Sequence, residues 1–423
     1  MKKDLLQLAD SGDISKTGAK PKLPTTIPNL TDNMLDVYRI PLNYLYYNDE
    51  NGRVSTQVRR VVGELTPSTD EENPLYNEKF AGFIADDNLG ALKKTKKSIL
   101  DKGQQVYGYV LSDGRIIDGN RRYTALRQIS EETGTTQFFE AVILPFTYDA
   151  KANRSQIKRL ELAIQLGVEE KLSYDPVDLA VDAYQTIVVD ELMTAQDYAN
   201  ESNTRIKDVE SKLATVELMQ SFFEFNNMPA DAFYIIKDLK LYSPLETLAD
   251  KLNKQYPNRG PKFEATKDSA FTLLAKVIIS GDDSRTEMRN YTRNIMSSAV
   301  NDDYNEQLEE VVDNFRDKMD SEPIATAAEY RARLETAVPE LRQVNEKYAT
   351  TTNRQNRGKN VDNFVGDVTE TLNTLKDMQQ GNGLTGNLQF TNFSRDQISE
   401  IRDMLVKINL ISNDLIEVYE DEL

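Results

Sequence analysis

The stretch from Asp113 to Ile129, "DGRIIDGNRRYTALRQI", decides how this chain is interpreted. The tripeptide 112–114 (Ser-Asp-Gly), which overlaps the start of this stretch, lies between two runs rich in β-branched and aromatic residues, a strong signal for a β-hairpin. The second run ends at Gly119, and apolar residues then recur at helical spacing until Gly134. We therefore predict a hairpin whose second strand leads directly into a helix.

This strand-to-helix junction has the chemistry of a phosphate-binding corner. The first N–H groups of a helix lack partners within it and carry the positive end of its dipole. Gly119 permits a tight turn and close approach of a ligand, while Arg121 and Arg122 add guanidinium groups. Successive helical residues point about 100° apart, so we expect one arginine to bind the ligand and the other to pair with Asp118 or a neighbouring acid. The alternative is a surface hairpin and a helix whose arginines are solvated or salt-bridged.

The surrounding sequence predicts an α+β amino-terminal domain followed by mainly α-helical domains. A strand from Val37, a helix ending at Gly103 and a strand in "FFEAVILPF" flank the hairpin and its helix, whereas strands become scarce after Pro145. The stretches 66–80, 350–360 and 379–387 are expected to be loops or linkers. The predicted divisions are a flexible lead (1–35), the α+β domain (36–150), a helical domain (151–229) and an acidic helical region (230–423).

Composition excludes several kinds of site. The chain of 423 residues contains no Cys and no His, which excludes disulfides, thiolate sites, imidazole bases and His-ligated zinc. A metal ion would need oxygen ligands, which favours Mg²⁺, Mn²⁺ or Ca²⁺. No apolar run is long enough to span a membrane and no secretory signal is evident, so we expect a cytoplasmic protein.

Charge is spread unevenly along the chain. The net charge is −18, of which residues 1–150 contribute −2 and residues 151–423 contribute −16. An anionic ligand is repelled least by the near-neutral part. The charge distribution therefore places an anion site in the amino-terminal domain, where the two arginines lie.

Residues 119–125, Gly-Asn-Arg-Arg-Tyr-Thr-Ala, resemble a family motif. They are similar to the Gly-Glu-Arg-Arg-x-Arg-Ala box that follows a hairpin in the ParB/sulfiredoxin superfamily. "IPLNYLYYNDENGR" (40–53) is similar to the family's opening strand and its Asn-Pro-Arg, with Gly52 in place of Pro and Arg53 matching Arg. The resemblance covers about residues 37–150 and implies a ParB/sulfiredoxin-like fold there.

The resemblance implies binding of a nucleoside triphosphate, CTP as in chromosome-partition members or ATP as in sulfiredoxins, with Mg²⁺ as the candidate metal ion. It assigns phosphate contact to matching positions of this chain: Arg53, Gly119, Asn120, Arg121 and Arg122. Sulfiredoxin chemistry is excluded because it needs a Cys in the box. Asn120 replaces the family's Glu and Thr124 its third Arg, and a later Glu-Asn-x-Gln-Arg motif is matched only at Gln165. These departures favour phosphate binding over hydrolysis.

A second resemblance concerns DNA. "MTAQDYANESNTRIKDVESKL" (193–213) resembles the helix-turn-helix that follows the nucleotide domain in partition proteins. Thr194 would cap its first helix, and Tyr198, Ala199, Val209 and Leu213 would face its core. The resemblance assigns DNA reading to four residues near the start of the second helix: Asn203, Thr204, Arg205 and Lys207. A helix pair used only for packing is the alternative.

The function expected from these features is that of a ParB-like nucleotide-binding, DNA-associated protein of the plasmid or phage partition type. The nucleotide would act as a switch for DNA loading or self-association, so a homo-oligomer is expected. One alternative is an NTP- and metal-dependent nuclease using carboxylates such as Asp113, Asp118 and Glu140. A third is an interaction scaffold with a degenerate nucleotide site. Enzymatic activity, as a weak NTPase or nuclease, is left open by the sequence.

Overall fold

A computed structural model describes residues 3–23, 34–48, 66–148, 151–167, 175–357, 361–381, 383 and 389–421. Its contacts divide the chain into two units, 1–349 and 350–423. The mixed architecture expected from the sequence is confirmed, because a six-stranded sheet is accompanied by many helices. The assignment of the first part to a ParB-like domain stays a prediction.

The strands are β1 (Ser15–Lys16), β2 (Val37–Pro41), β3 (Tyr46–Tyr47), β4 (Gly108–Leu111), β5 (Arg115–Asp118) and β6 (Phe138–Leu144). The helices of the sheet-containing part are α1 (Leu5–Ser11), α2 (Pro74–Asp87), α3 (Leu89–Lys102), α4 (Asn120–Thr133) and α5 (Lys151–Gly167). The remaining helices of the first unit are α6 (Pro176–Tyr184), α7 (Ala195–Glu201), α8 (Ile206–Phe225), α9 (Phe233–Asp238), α10 (Tyr242–Gln255), α11 (Pro261–Ser280), α12 (Ser284–Tyr291), α13 (Asn301–Met319), α14 (Ala327–Thr336) and α15 (Val338–Arg357), the last of which ends beyond residue 349. The second unit contains α16 (Val361–Gln380) and α17 (Arg395–Asp421).

The sheet has the strand order β1-β2-β6-β4-β5-β3. The β4–β5 hairpin is antiparallel, as its turn residues predict, with Val110 opposite Ile116. Strand β6 pairs antiparallel with β2 and parallel with β4, where Gly108 lies opposite Ala141. The hairpin and the helix that follows it therefore stand at the middle of the sheet, beside β6.

Helices cover both faces of the sheet. Alternate residues of each strand point to opposite faces, so they belong to two different cores. Val110 of β4 lies in a core shared with α1, α2 and α4. Its neighbours Tyr109 and Leu111 lie in a second core that includes α5. Helix α4 therefore packs on one face of the sheet and α5 on the other.

The helices after the sheet share one large apolar core. It draws on α6 and on α8 to α15, and its members run from Val177 to Tyr348. This core contains residues on both sides of position 229, because α8 packs against α10 and α11. Among the described residues, no helix is both long enough and apolar enough to cross a membrane.

The prediction of a loop over 66–80 is wrong for its second half. Helix α2 begins at Pro74, and the Asn73 side chain caps it by accepting a hydrogen bond from the Leu75 N–H at 3.1 Å. Proline fits the first turn of a helix, where its missing N–H costs nothing. Residues 350–357, also expected to be a loop, continue α15, while 358–360 lie outside the described residues.

Candidate functional site

The strand-to-helix corner is formed by β5, Gly119 and α4. Gly119 has φ 105° and ψ 17°, a left-handed conformation that L side chains avoid. A Cβ at this position would lie 2.6 Å from Cζ of the buried Phe139 ring. The N-cap residue Gly119 has no side chain that could cap α4, and no acidic residue lies in the first turn of this helix. The corner therefore presents a helix dipole's positive end without a competing carboxylate in that turn.

Arg122 holds the corner together. Its Nη1 donates to the carbonyl oxygens of Val106 at 3.0 Å and Tyr107 at 3.2 Å, and its Nη2 lies 2.6 Å from Oδ2 of Asp118. The Arg122 side chain is only 15% exposed. This is the arginine–Asp118 pair that the sequence predicted for one of the two arginines. Arg122 thus ties the segment before β4 to the end of β5, and its donors are used structurally.

Arg121 points elsewhere. It is half-buried and precedes Arg122 by one residue, so its side chain leaves α4 about 100° away around the axis. Asn120, the residue before it, is 7% exposed, and its Oδ1 has no hydrogen-bond partner among the described residues. Arg53, which was also assigned to phosphate contact, lies outside the described residues.

Thr124, which stands where the family has a third arginine, belongs to the core. It is fully buried, and its hydroxyl donates to the Asn120 carbonyl oxygen at 2.9 Å. The Tyr47 hydroxyl lies 2.8 Å from Thr124 Oγ1, and burial raises the pKa of Tyr47 far above its usual range. Both hydroxyls are consequently neutral, and this position contributes packing to the corner.

A buried polar cluster beneath the corner was missed by the sequence analysis. The Tyr123 hydroxyl lies 3.0 Å from the Leu42 carbonyl oxygen, and Arg127 donates to the same hydroxyl at 3.2 Å. Arg127 also pairs with Asp70. The spacing of Tyr123 and Arg127 by one helical turn was a usable signal. Asp70 could not be found, because it lies in the stretch interpreted as a loop.

The three carboxylates considered for a nuclease are engaged in other contacts. Asp113 accepts a hydrogen bond from the Tyr46 hydroxyl at 2.5 Å, Asp118 pairs with Arg122, and Glu140 pairs with Arg39 at 3.8 Å. Within the described ranges, no group of three or more acidic side chains is arranged to hold a metal ion.

The helix-turn-helix residues form a compact pair of helices. The Thr194 hydroxyl accepts from the Asp197 N–H at 3.1 Å, and the two side chains form a capping box. The predicted core residues are packed together: Tyr198, Ala199, Val209 and Leu213. Asn203, in the turn, has φ 50°, a left-handed conformation that asparagine tolerates better than most residues. It supplies the turn that a glycine commonly makes.

The residues assigned to DNA reading are all exposed at the start of α8: Asn203, Thr204, Arg205 and Lys207. The Arg205 guanidinium donates to both carboxylate oxygens of Asp208, at 2.8 and 2.9 Å. The structure thus brings these four side chains to one end of one helix. The helix pair that carries them packs in a different apolar cluster from the corner at Gly119.

A buried ionic network joins α5, α6 and α7. Lys158 Nζ lies 2.5 Å from Asp182 Oδ1 and 3.3 Å from Glu161 Oε2, and the Tyr198 hydroxyl donates to Asp182 Oδ2 at 3.0 Å. Burial alone would lower the pKa of Lys158, but the two carboxylates outweigh it and raise the pKa above its ordinary value. The amine therefore stays charged, and the network joins α6 and α7 to α5, the helix that packs on the sheet.

No protein-family model matches the chain, and no curated protein matches it.

Proposed function

We propose that the chain is a ParB-like protein in which the corner at 118–122 binds the phosphates of CTP or ATP. In this proposal the bound nucleotide is a switch for DNA loading or self-association. The observation that carries it is the placement of two adjacent arginines in the first turn of α4, directly after the left-handed Gly119. Arg122 fixes the shape of the corner through two carbonyl oxygens and Asp118. Arg121 stands in the first turn of α4, where a phosphate would be stabilised by both the guanidinium and the helix dipole.

The first test is calorimetric titration of the full chain with CTP, ATP and GTP, each with Mg²⁺. Arg121→Ala is expected to raise the Kd of the preferred nucleotide about tenfold to hundredfold, because a hydrogen bond to a charged group is worth about 1.5–3 kcal/mol. The matched control is Gln128→Ala, on the same face of α4 two turns further on and equally half-buried.

Arg122→Ala provides the contrasting variant. It should lower the Tm of the nucleotide-free protein, because three polar partners lose their donor. If the wild-type protein binds none of the three nucleotides, the nucleotide switch is wrong. If Gln128→Ala weakens binding as much as Arg121→Ala, phosphate contact is not at the corner.

The DNA part of the proposal is tested at Lys207. We expect Lys207→Ala to weaken binding of plasmid DNA in the presence of nucleotide and to reduce the salt slope of binding by about 1, as loss of a phosphate contact does. Lys251→Ala, at an exposed lysine of α10, is the control and should leave both quantities unchanged. Equal effects of the two substitutions would show that the attraction is unspecific. Incubation with supercoiled plasmid separates binding from the nicking that a nuclease would produce.

A further inference from the structure

Helix α17 carries a long exposed apolar stripe. It has 27 residues, which corresponds to about 40 Å, and none of them is buried. Apolar side chains recur every three or four residues, so they share one face. The exposed members of this stripe are Ile398, Leu405, Ile408, Ile411, Leu415 and Tyr419. A stripe of this length in water is a strong indication that another surface covers it.

The apolar positions of the stripe are arranged nearly symmetrically about Ile408. Leu405 and Ile411 lie three residues to either side, and Ile401 and Leu415 lie seven residues to either side. Two copies of α17 that cross antiparallel at Ile408 would therefore place apolar side chains opposite apolar side chains along the stripe. Such self-complementarity is what a two-fold symmetric contact requires.

The charges of α17 favour the same orientation. Its last turns carry acidic residues without a basic residue among them: Asp414, Glu417, Glu420 and Asp421. A parallel pair would bring these acidic ends together, and like charges at such flanking positions are destabilising. In the antiparallel pair Arg395 lies level with Asp421 of the second copy, and Arg402 lies level with Asp414 of the second copy. Each acidic end also meets the positive dipole end of the other helix.

We propose that the stripe on α17 is the self-association surface of this protein and that its occupant is α17 of a second copy, in antiparallel orientation. This assignment identifies the contact surface of the expected homo-oligomer. It does not depend on nucleotide binding, because it rests on the second unit alone.

The test is light scattering coupled to size exclusion on the full chain. The wild-type protein should be a dimer, and Ile408→Glu should be a monomer, because the two-fold centre would then face two carboxylates to each other. Val406→Glu is the matched control: Val406 is 50% exposed but lies about 160° around the helix from Ile408, and this variant should remain a dimer. Circular dichroism of both variants establishes that the helices are retained. A monomeric wild-type protein, or a dimer that survives Ile408→Glu, overturns the proposal.

Orientation is tested by cross-linking, which is simple because the chain contains no Cys. Arg395→Cys and Asp421→Cys are prepared separately, one with a larger tag, and treated with a short bismaleimide. The mixture should give a cross-linked pair of one copy of each, while each variant alone should give none. Cross-linking of either variant to itself, without the mixed product, would show a parallel pair and overturn the antiparallel assignment.

Discussion

Replacement of Lys158 by methionine is expected to destabilise the first unit by about 3–5 kcal/mol, because the Asp182 and Glu161 carboxylates lose the Lys158 ammonium in a buried setting. Asp182 lies 2.5 Å and Glu161 3.3 Å from the lost ammonium, and their side chains are 12% and 4% exposed. Methionine keeps most of the side chain's volume, so the expected loss is electrostatic. Urea unfolding followed by far-UV circular dichroism measures the free energy.

The control for Lys158 removes the carboxylate charges as well. Combining Lys158→Met with Glu161→Gln and Asp182→Asn should recover a large part of the lost stability, because no uncompensated charge is then buried. The wild-type contribution of Lys158 should be fully present below the ordinary lysine pKa of 10.5 and be lost as the pH rises through its higher folded-state pKa. A cost below about 1 kcal/mol for the single substitution would contradict a buried network.

Gly119→Ala is expected to cost about 2–4 kcal/mol, the sum of backbone strain and overpacking. At φ 105° an alanine is strained, and its Cβ would stand 2.6 Å from Cζ and 3.2 Å from Cε2 of Phe139. The Phe139 ring is fully buried and packs edge-on against Tyr123, so it cannot move aside cheaply. Urea unfolding again gives the free energy, and the nucleotide titration shows whether the corner survives.

Gly134→Ala separates the two contributions. Gly134 ends the same helix with φ 65°, but a Cβ at this position would have nothing within 4 Å of it. This substitution should therefore show backbone strain alone and cost about 1 kcal/mol. Adding Phe139→Leu to Gly119→Ala should cost less than the two single effects combined, because the shorter side chain relieves the clash. Strict additivity would show that Phe139 is not the obstacle.

Local signals predicted much of the sheet-containing region. The hairpin over 108–118 and the helix that ends at Gly134 follow from glycines with positive φ and from alternating apolar residues. The capping box of Ser394 and Gln397, with hydrogen bonds of 2.9 and 3.2 Å, is likewise formed by residues only three positions apart. These features depend on neighbours within a few residues, and the sequence displays such neighbours directly.

Long-range partners could not be predicted in the same way. The sequence could not show which arginine would be held by hydrogen bonds within the protein. The carbonyl oxygens of residues 106 and 107 become partners of Arg122 only when the β4–β5 hairpin forms. The contact of Thr124 with Tyr47 joins residues 77 positions apart. Likewise Lys158 and Asp182 meet only when α5 packs against α6. These three contacts attach the corner and the helices at 193–213 to the structure around them.

Helix α5 contacts structure on two sides at once. Ile157, Leu160 and Ile164 pack on the sheet, whereas Lys158 and Leu162 face the helices that follow. One inserted or deleted residue would rotate everything beyond it by about 100° and misdirect one of these sets. Evolution can therefore exchange side chains along α5 in compensating groups, but it cannot change the length of this helix without uncoupling the sheet from the helices beyond it.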